Sequence, residues 1–176
     1  MGFSKQDIIN SIRTVPDFPK PGIMFKDITT ALKNPGMLNY MADLLTEQYQ
    51  GKGITKVVAV ESRGFIMGSV LASRLNAGFV PVRKPGKLPA DVFSHSYELE
   101  YGTDTLEIHK DALVPSDIVM IHDDLLATGG TAIAAVELVK KIGVNAKFVS
   151  FICELSFLSG RGRFSPENEV FSLISF

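Results

Sequence analysis

The chain has 176 residues, 45% apolar and 21% charged, which suits one globular domain and leaves no room for two full ones. Its formal net charge of −1 argues against a polyanion binder of the histone or repressor kind, so no nucleic-acid partner is expected. The lone cysteine, Cys153, excludes an intrachain disulfide, and the N-terminal MGFSKQDIIN lacks a signal-peptide core. The longest uncharged stretch of the first half, Gly64–Ser73, is too short to span a bilayer. A cytoplasmic protein with no membrane partner is the expectation.

Ser4 opens the chain as a helix cap ahead of Ile8, Ile9 and Ile12. Asp17–Thr29 carries Pro19, Pro21 and Gly22 and is expected to be irregular. Phe18 and Phe25 are unusual for such a loop. Either could tuck into the core, or one could stack on a flat ligand. Gly36–Tyr49 has the spacing of an amphipathic helix, closed by Gly51 and Gly53. Lys56–Val60 is a buried-strand candidate, and Glu61–Phe65 (ESRGF) leads into a helix over Gly64–Leu75. Gly78–Val82 is a third short strand, followed by Arg83, Lys84 and Lys87. Cations at two strand ends fall on the ligand side of an open parallel sheet and suit several phosphates. Each run could also be a solvated charged surface.

Residues 90–111 alternate polar and apolar from Ser96 to Tyr101 and from Thr105 to His109, with Gly102-Thr103-Asp104 between. That is a hairpin pattern. Ile118–Ile121 is an uninterrupted apolar run of the kind found in a strand buried on both faces. His122 and the carboxylates Asp123 and Asp124 follow, then Leu125, Leu126, Ala127 and Thr128-Gly129-Gly130-Thr131. Ala132, Ala135, Val136 and Val139 mark the next helix, with Lys140, Lys141 and Gly143 at its end. Lys147–Ile152 reads as a further strand and Val170–Ile174 as an edge strand. His95, His109 and His122 do not share metal-ligand spacing, and His122 is expected to be partly buried or to support the site. The basic run Gly160–Arg163 has no role legible in the sequence.

The order strand, two acids, Gly-Gly flanked by threonines, helix has a chemical meaning. The glycines allow a tight turn, and the N–H groups and dipole of the following helix favour a phosphate. No Lys follows the glycines, so this is not a triphosphate loop. A plain turn with Thr131 as an N-cap is the other reading. The acids would repel a phosphate unless they face hydroxyls or Mg²⁺. A 5-phosphorylated ribose supplies both the phosphate and the hydroxyl pair.

HDDLLATGGT, His122–Thr131, resembles the signature of the type I phosphoribosyltransferases, in the version carried by adenine phosphoribosyltransferases. Those enzymes bind 5-phosphoribosyl-1-pyrophosphate (PRPP). The resemblance implies an α/β fold: a mostly parallel central sheet flanked by helices. A small hood would come from about residues 1–35 and a flexible loop from about 90–111, all within one domain, 1–176. It implies that adenine and PRPP become AMP and pyrophosphate, with Mg²⁺ held mainly by the substrate and no direct protein ligand. Asp123, Asp124, Ala127, Thr128, Gly129, Gly130 and Thr131 would bind the ribose and its phosphate. Arg63, Arg83, Lys84, Lys87 and Tyr101 would bind pyrophosphate. Met24, Phe25, Lys26 and Leu125 would hold adenine, with Phe25 stacking. Glu100 and Arg83 would be catalytic, and a non-proline cis peptide would fall at Glu61–Ser62. Family members are commonly homodimers. Xanthine specificity and a PRPP-sensing regulator are the rivals, against which the Phe25 segment and the complete acid and basic motifs weigh.

Overall fold

The computed structural model describes residues 2–98 and 102–176; the expectations for Glu100 and Tyr101 lie outside the described residues. Helix α1 (Lys5–Ser11) starts at Ser4, whose hydroxyl accepts from the Asp7 N–H while the Asp7 carboxylate accepts from the Ser4 N–H at 2.8 Å. This reciprocal cap satisfies two donors that the helix itself leaves open.

β1 (Arg13–Pro16) and β2 (Met24–Asp27) form an antiparallel ribbon. The expectation of an irregular Asp17–Thr29 therefore holds only for its tip. Pro19, Pro21 and Gly22 sit in the turn, and from Met24 onward every residue keeps an N–H for pairing. Phe18 and Phe25 join neither core; they pack edge-to-face on each other, with ring centroids 5.0 Å apart. A short helix, α2 (Thr29–Leu32), leads to α3 (Pro35–Tyr49), which Asn34 caps through the Met37 N–H.

The rest of the chain builds the sheet. β3 (Lys56–Val60), α4 (Gly64–Arg74) and β4 (Gly78–Val82) come first. The antiparallel hairpin β5 (Val92–Glu98) and β6 (Thr103–His109) follows. Then come β7 (Val119–Leu126), α5 (Gly130–Lys141), β8 (Ala146–Glu154) and β9 (Glu169–Ser175). β4, β3, β7, β8 and β9 lie in that order, every neighbouring pair parallel. Pro81 is tolerated because β4 is an edge strand.

Alternation along β7 distributes side chains to two cores. Met120 joins the apolar cluster under α1, α3 and α4, whereas Val119 and Ile121 join the one under α5 and the β5–β6 hairpin. The central strand thus has both faces covered, which is why its sequence is a continuous apolar run. β7 is longer than the run Ile118–Ile121 suggests. Its pairing with β8 continues to Leu126↔Glu154, so both acids lie inside the strand.

Of the two expectations for His122, partial burial is corrected: the side chain is fully buried. Its Cα partners are Ala59 and Ser150 on the flanking strands, and neither ring nitrogen has a partner among the described residues. Burial lowers its pKa to about 3, from 6.5 when exposed. The unfolded chain therefore takes up a proton near pH 6.5 that the folded chain refuses. Stability is unaffected above that pH and falls as pH drops toward 3. The loss expected by pH 5 from this group is about 2 kcal/mol. His122→Val should remove that part of the acid sensitivity. Urea unfolding of parent and variant at pH 7 and pH 5 gives the difference; equal pH dependence would show that His122 is not the source.

Candidate active site

Asp123 and Asp124 are 9% and 3% exposed at the carboxyl end of the central strand. The Asp124 N–H donates to Asp123 Oδ1 at 2.8 Å. Arg63 Nε lies 2.9 Å from Asp124 Oδ2 as an ion pair without hydrogen-bond alignment. Burial raises both carboxyl pKa values. The charge of Asp124 raises Asp123 further, while Arg63 pulls Asp124 back down. Carboxylates so placed favour a ligand that brings hydroxyl donors or positive charge.

Ala127, Thr128 and Gly129 connect the acids to α5. Gly129 is the N-cap, with φ 85° in the left-handed region, and a Cβ there would lie 3.0 Å from the Gly160 carbonyl oxygen. Gly130 has no such demand; a Cβ would rest 3.5 Å from the Tyr97 ring, an ordinary contact. No side chain caps α5, so Thr131 is not its N-cap. The Thr131 hydroxyl lies 3.2 Å from the Tyr97 hydroxyl instead. The helix therefore presents an uncapped, positively polarised end to the space beyond the acids.

The cations expected from the sequence converge on the same space, each already held by a carboxylate. Arg63 pairs with Asp124, Lys84 with Asp104, and Arg83 and Lys87 with Glu61. Glu61 is the organiser. It accepts from Arg83 Nε and Nη2 at 3.3 and 3.1 Å, the Lys84 N–H at 3.0 Å and Lys87 Nζ at 2.8 Å. Burial alone would raise its pKa, but these donors outweigh it and hold the carboxyl at about 2. The Glu61–Ser62 peptide is cis, at the turn where the resemblance implied it. Arg63 and Lys84 line the cavity in front of the acids; Arg83 and Lys87 stand behind, through Glu61.

Two cavities meet here. A polar one of about 290 Å³ is lined by Arg63, Lys84, both acids and the whole Ala127–Thr131 loop. An apolar one of about 580 Å³ lies between the ribbon tip, with Met24, Phe25 and Lys26, and the Leu155–Leu158 turn. They share Leu125, Ala127 and Thr128, so one ligand can span both. The Arg63 guanidinium sits 5.0 Å from the Phe25 ring centroid and bridges the two. The Lys26 ammonium is drawn away to Thr14 and the Phe176 ring, leaving its backbone at the apolar cavity.

Residues 28–174 match the model of the phosphoribosyl transferase domain. The adenine phosphoribosyltransferase of Bacteroides thetaiotaomicron is 57% identical over 175 residues, covering 99% of each chain. The chain belongs to the adenine phosphoribosyltransferase family. A solved family member from Thermoanaerobacter pseudethanolicus superposes with a TM-score of 0.95 at 50% identity, covering 98% of this chain and 100% of that one. The Giardia lamblia enzyme in complex with 9-deazaadenine gives 0.93 at 42% identity over 99% and 98% of the two chains. The fold is the type I phosphoribosyltransferase fold, a five-stranded parallel sheet between helical layers.

Four contributors were given no part in the site from the sequence: Glu61, Asp104, Tyr97 and the Gly160–Arg163 turn. Glu61 was legible as the acid opening a strand-end motif. Asp104 and Tyr97 act only because the hairpin folds back onto α5 and the Lys84 loop. The two loop glycines separate by conformation. Gly129→Ala should lower stability by about 1–2 kcal/mol from the left-handed backbone alone, whereas Gly130→Ala should be nearly neutral. Chemical denaturation of the two variants checks this, and equal effects would contradict the assignment.

Proposed function

We propose that this chain transfers the phosphoribosyl group of PRPP to adenine, yielding AMP and pyrophosphate. The carrying observation is the junction of a polar and an apolar cavity at Leu125, Ala127 and Thr128. A nucleoside monophosphate has this polarity, phosphate and ribose at one end and a flat base at the other. In this reading the Ala127–Thr131 backbone and the α5 N-terminus bind the 5-phosphate, and Asp123 and Asp124 accept from the ribose hydroxyls. Adenine lies against Phe25, with Leu125 at its ribose side and the backbone of Met24 and Lys26 at its edge.

During transfer the bond from ribose C1 to a pyrophosphate oxygen breaks and the bond to adenine N9 forms. Arg63 and Lys84 face the leaving group, and Arg83 and Lys87 add charge fixed in place by Glu61. Such preorganised charge stabilises a departing anion without reorganisation. Glu100 takes the base proton as N9 attacks, and Tyr101 contacts pyrophosphate. The acid pair supplies the oxygen donors that hard cations prefer and fits Mg²⁺ bound through water. Among the described residues no cluster of three potential ligands exists, so most ligands would come from substrate. Bound Mg²⁺ would supply charge neutralisation at the pyrophosphate.

The reading extends to a cytoplasmic homodimer. Among the described residues no helix is long and apolar enough to cross a membrane. Ile66 on α4 and Phe79 on β4 are 42% and 38% exposed, and Phe79 packs edge-to-face on Phe65, next to Ile66 in the chain. Such a patch suits a second copy of the chain.

Incubation with PRPP, Mg²⁺ and each purine base in turn should give a nucleotide with adenine; no product, or product only from another base, would overturn the reading. Phe25→Ala should cost about 1–3 kcal/mol of base binding, raising KM for adenine and sparing KM for PRPP. Glu100→Gln should slow single-turnover AMP formation about 10²–10⁴-fold. A rate within about threefold of the parent would leave Glu100 no acid–base role.

A further inference from the structure

The turn at Gly160–Arg163 lies against the outer side of the loop that joins the acids to α5. Gly160 touches it so closely that a Cβ would lie 2.1 Å from the Ala127 carbonyl oxygen. The turn is anchored on both sides. Arg161 donates from Nε to both oxygens of the Glu154 carboxylate at 3.2 Å and from Nη1 to the Val170 carbonyl at 2.6 Å. Phe164 packs edge-to-face on Phe151, which lines the polar cavity. From this anchored turn Arg163 Nη1 donates to the Thr128 carbonyl at 2.9 Å. Among the described residues no carboxylate pairs with Arg163, unlike Arg161, so its charge is not neutralised locally.

The grip on that one carbonyl has a consequence inside the site. The Thr128–Gly129 peptide is trans, so its C=O and its N–H point in opposite directions. Arg163 holds the oxygen from outside, and the Gly129 N–H points the other way. A charged donor on a carbonyl polarises the whole amide and strengthens the hydrogen bond that its N–H can give. Gly129 lines the polar cavity at the uncapped end of α5.

We propose that Arg163 is a positioning residue for the 5-phosphate: it never touches the ligand, but orients and polarises the Gly129 N–H that binds it. This rests on the assignment of the Ala127–Thr131 loop to a phosphate. Arg163 is exposed, so most of its effect must run through the Thr128 carbonyl and not through long-range charge, which salt screens.

The test compares AMP with adenosine, which differ only in the phosphate, by calorimetry on the full chain. Arg163→Met should weaken AMP about threefold to tenfold, the range for one net hydrogen bond, and leave adenosine unchanged. Arg163→Lys, which keeps a charged donor, should recover part of the loss. The pKa of the phosphate in bound AMP, read by ³¹P NMR, should rise in Arg163→Met, because a weaker donor favours the dianion less. An unchanged ratio of AMP to adenosine affinity would overturn the proposal, as would equal loss for both ligands. If Arg163→Met fails to fold, Arg163→Gln, which keeps a neutral donor, should show the same shrinkage of the ratio and an unchanged ratio sinks the idea. A parent chain that prefers AMP no more than adenosine would instead remove the phosphate assignment itself.

Discussion

Two adjacent carboxylates buried at the end of the central strand impose the condition that the rest of the site meets. Desolvation disfavours their charge and each repels the other, so the fold must supply positive charge nearby. Arg63 does so from the start of α4, and α4 must come close for it to reach. Its close approach depends on residues with no side chain to hold it off. A Cβ at Gly64 would lie 3.0 Å from Asp123 Oδ1 and from the His122 carbonyl oxygen, and one at Gly68 would lie 2.6 Å from the Ala59 Cβ. The ion pair at the site and the helix–sheet packing beneath it are therefore one arrangement.

The same logic governs the remaining cations. A chain of net charge −1 gathers Arg63, Arg83, Lys84 and Lys87 at one end of its sheet. Left bare, they would repel one another. Glu61, Asp104 and Asp124 each hold one or two of them in fixed positions. In the proposed reading, an incoming polyanion would meet charges already oriented by these pairs.

His122 departs from the local pattern. Two positions after the apolar Met120 and two before Asp124 on the same strand, it buries an imidazole with no hydrogen-bond partner among the described residues, opposite Ser150 of β8. Unpaired buried polar groups cost stability. The apolar cluster that Met120 joins on that face of the sheet offsets that cost. Its neutral form adds no charge next to Asp123, and so does not weaken the dependence of the acid pair on Arg63.

Much of this was legible in the residues. The strand–acids–Gly-Gly–helix order of residues 118–143 is local chemistry, and local chemistry follows from sequence: apolar runs pair, glycine permits a positive φ, helix ends attract anions. The two-sided burial of β7, the edge position of β9 and the placing of Arg63 with the other cations at one end of the sheet follow from such patterns together with the rule that ligands bind at the carboxyl ends of parallel strands. The sequence could not say which of two neighbouring glycines takes the left-handed turn, nor that Gly129 would face the backbone of Gly160, 31 positions away in the chain and close only once folded. Nor could it show that β7 runs through its own acids, since that length is dictated by pairing with β8. Glu61 as the hub of the cations, Tyr97 against Thr131 and Arg163 on the Thr128 carbonyl are contacts between segments distant in sequence. No periodicity encodes such contacts. They arise when packing of the two cores brings the segments together, and so the chain by itself determined the local motifs, the acids, the glycine turn and the cations at the strand ends, while tertiary structure alone decided which group holds which and added Glu61, Asp104, Tyr97 and Arg163.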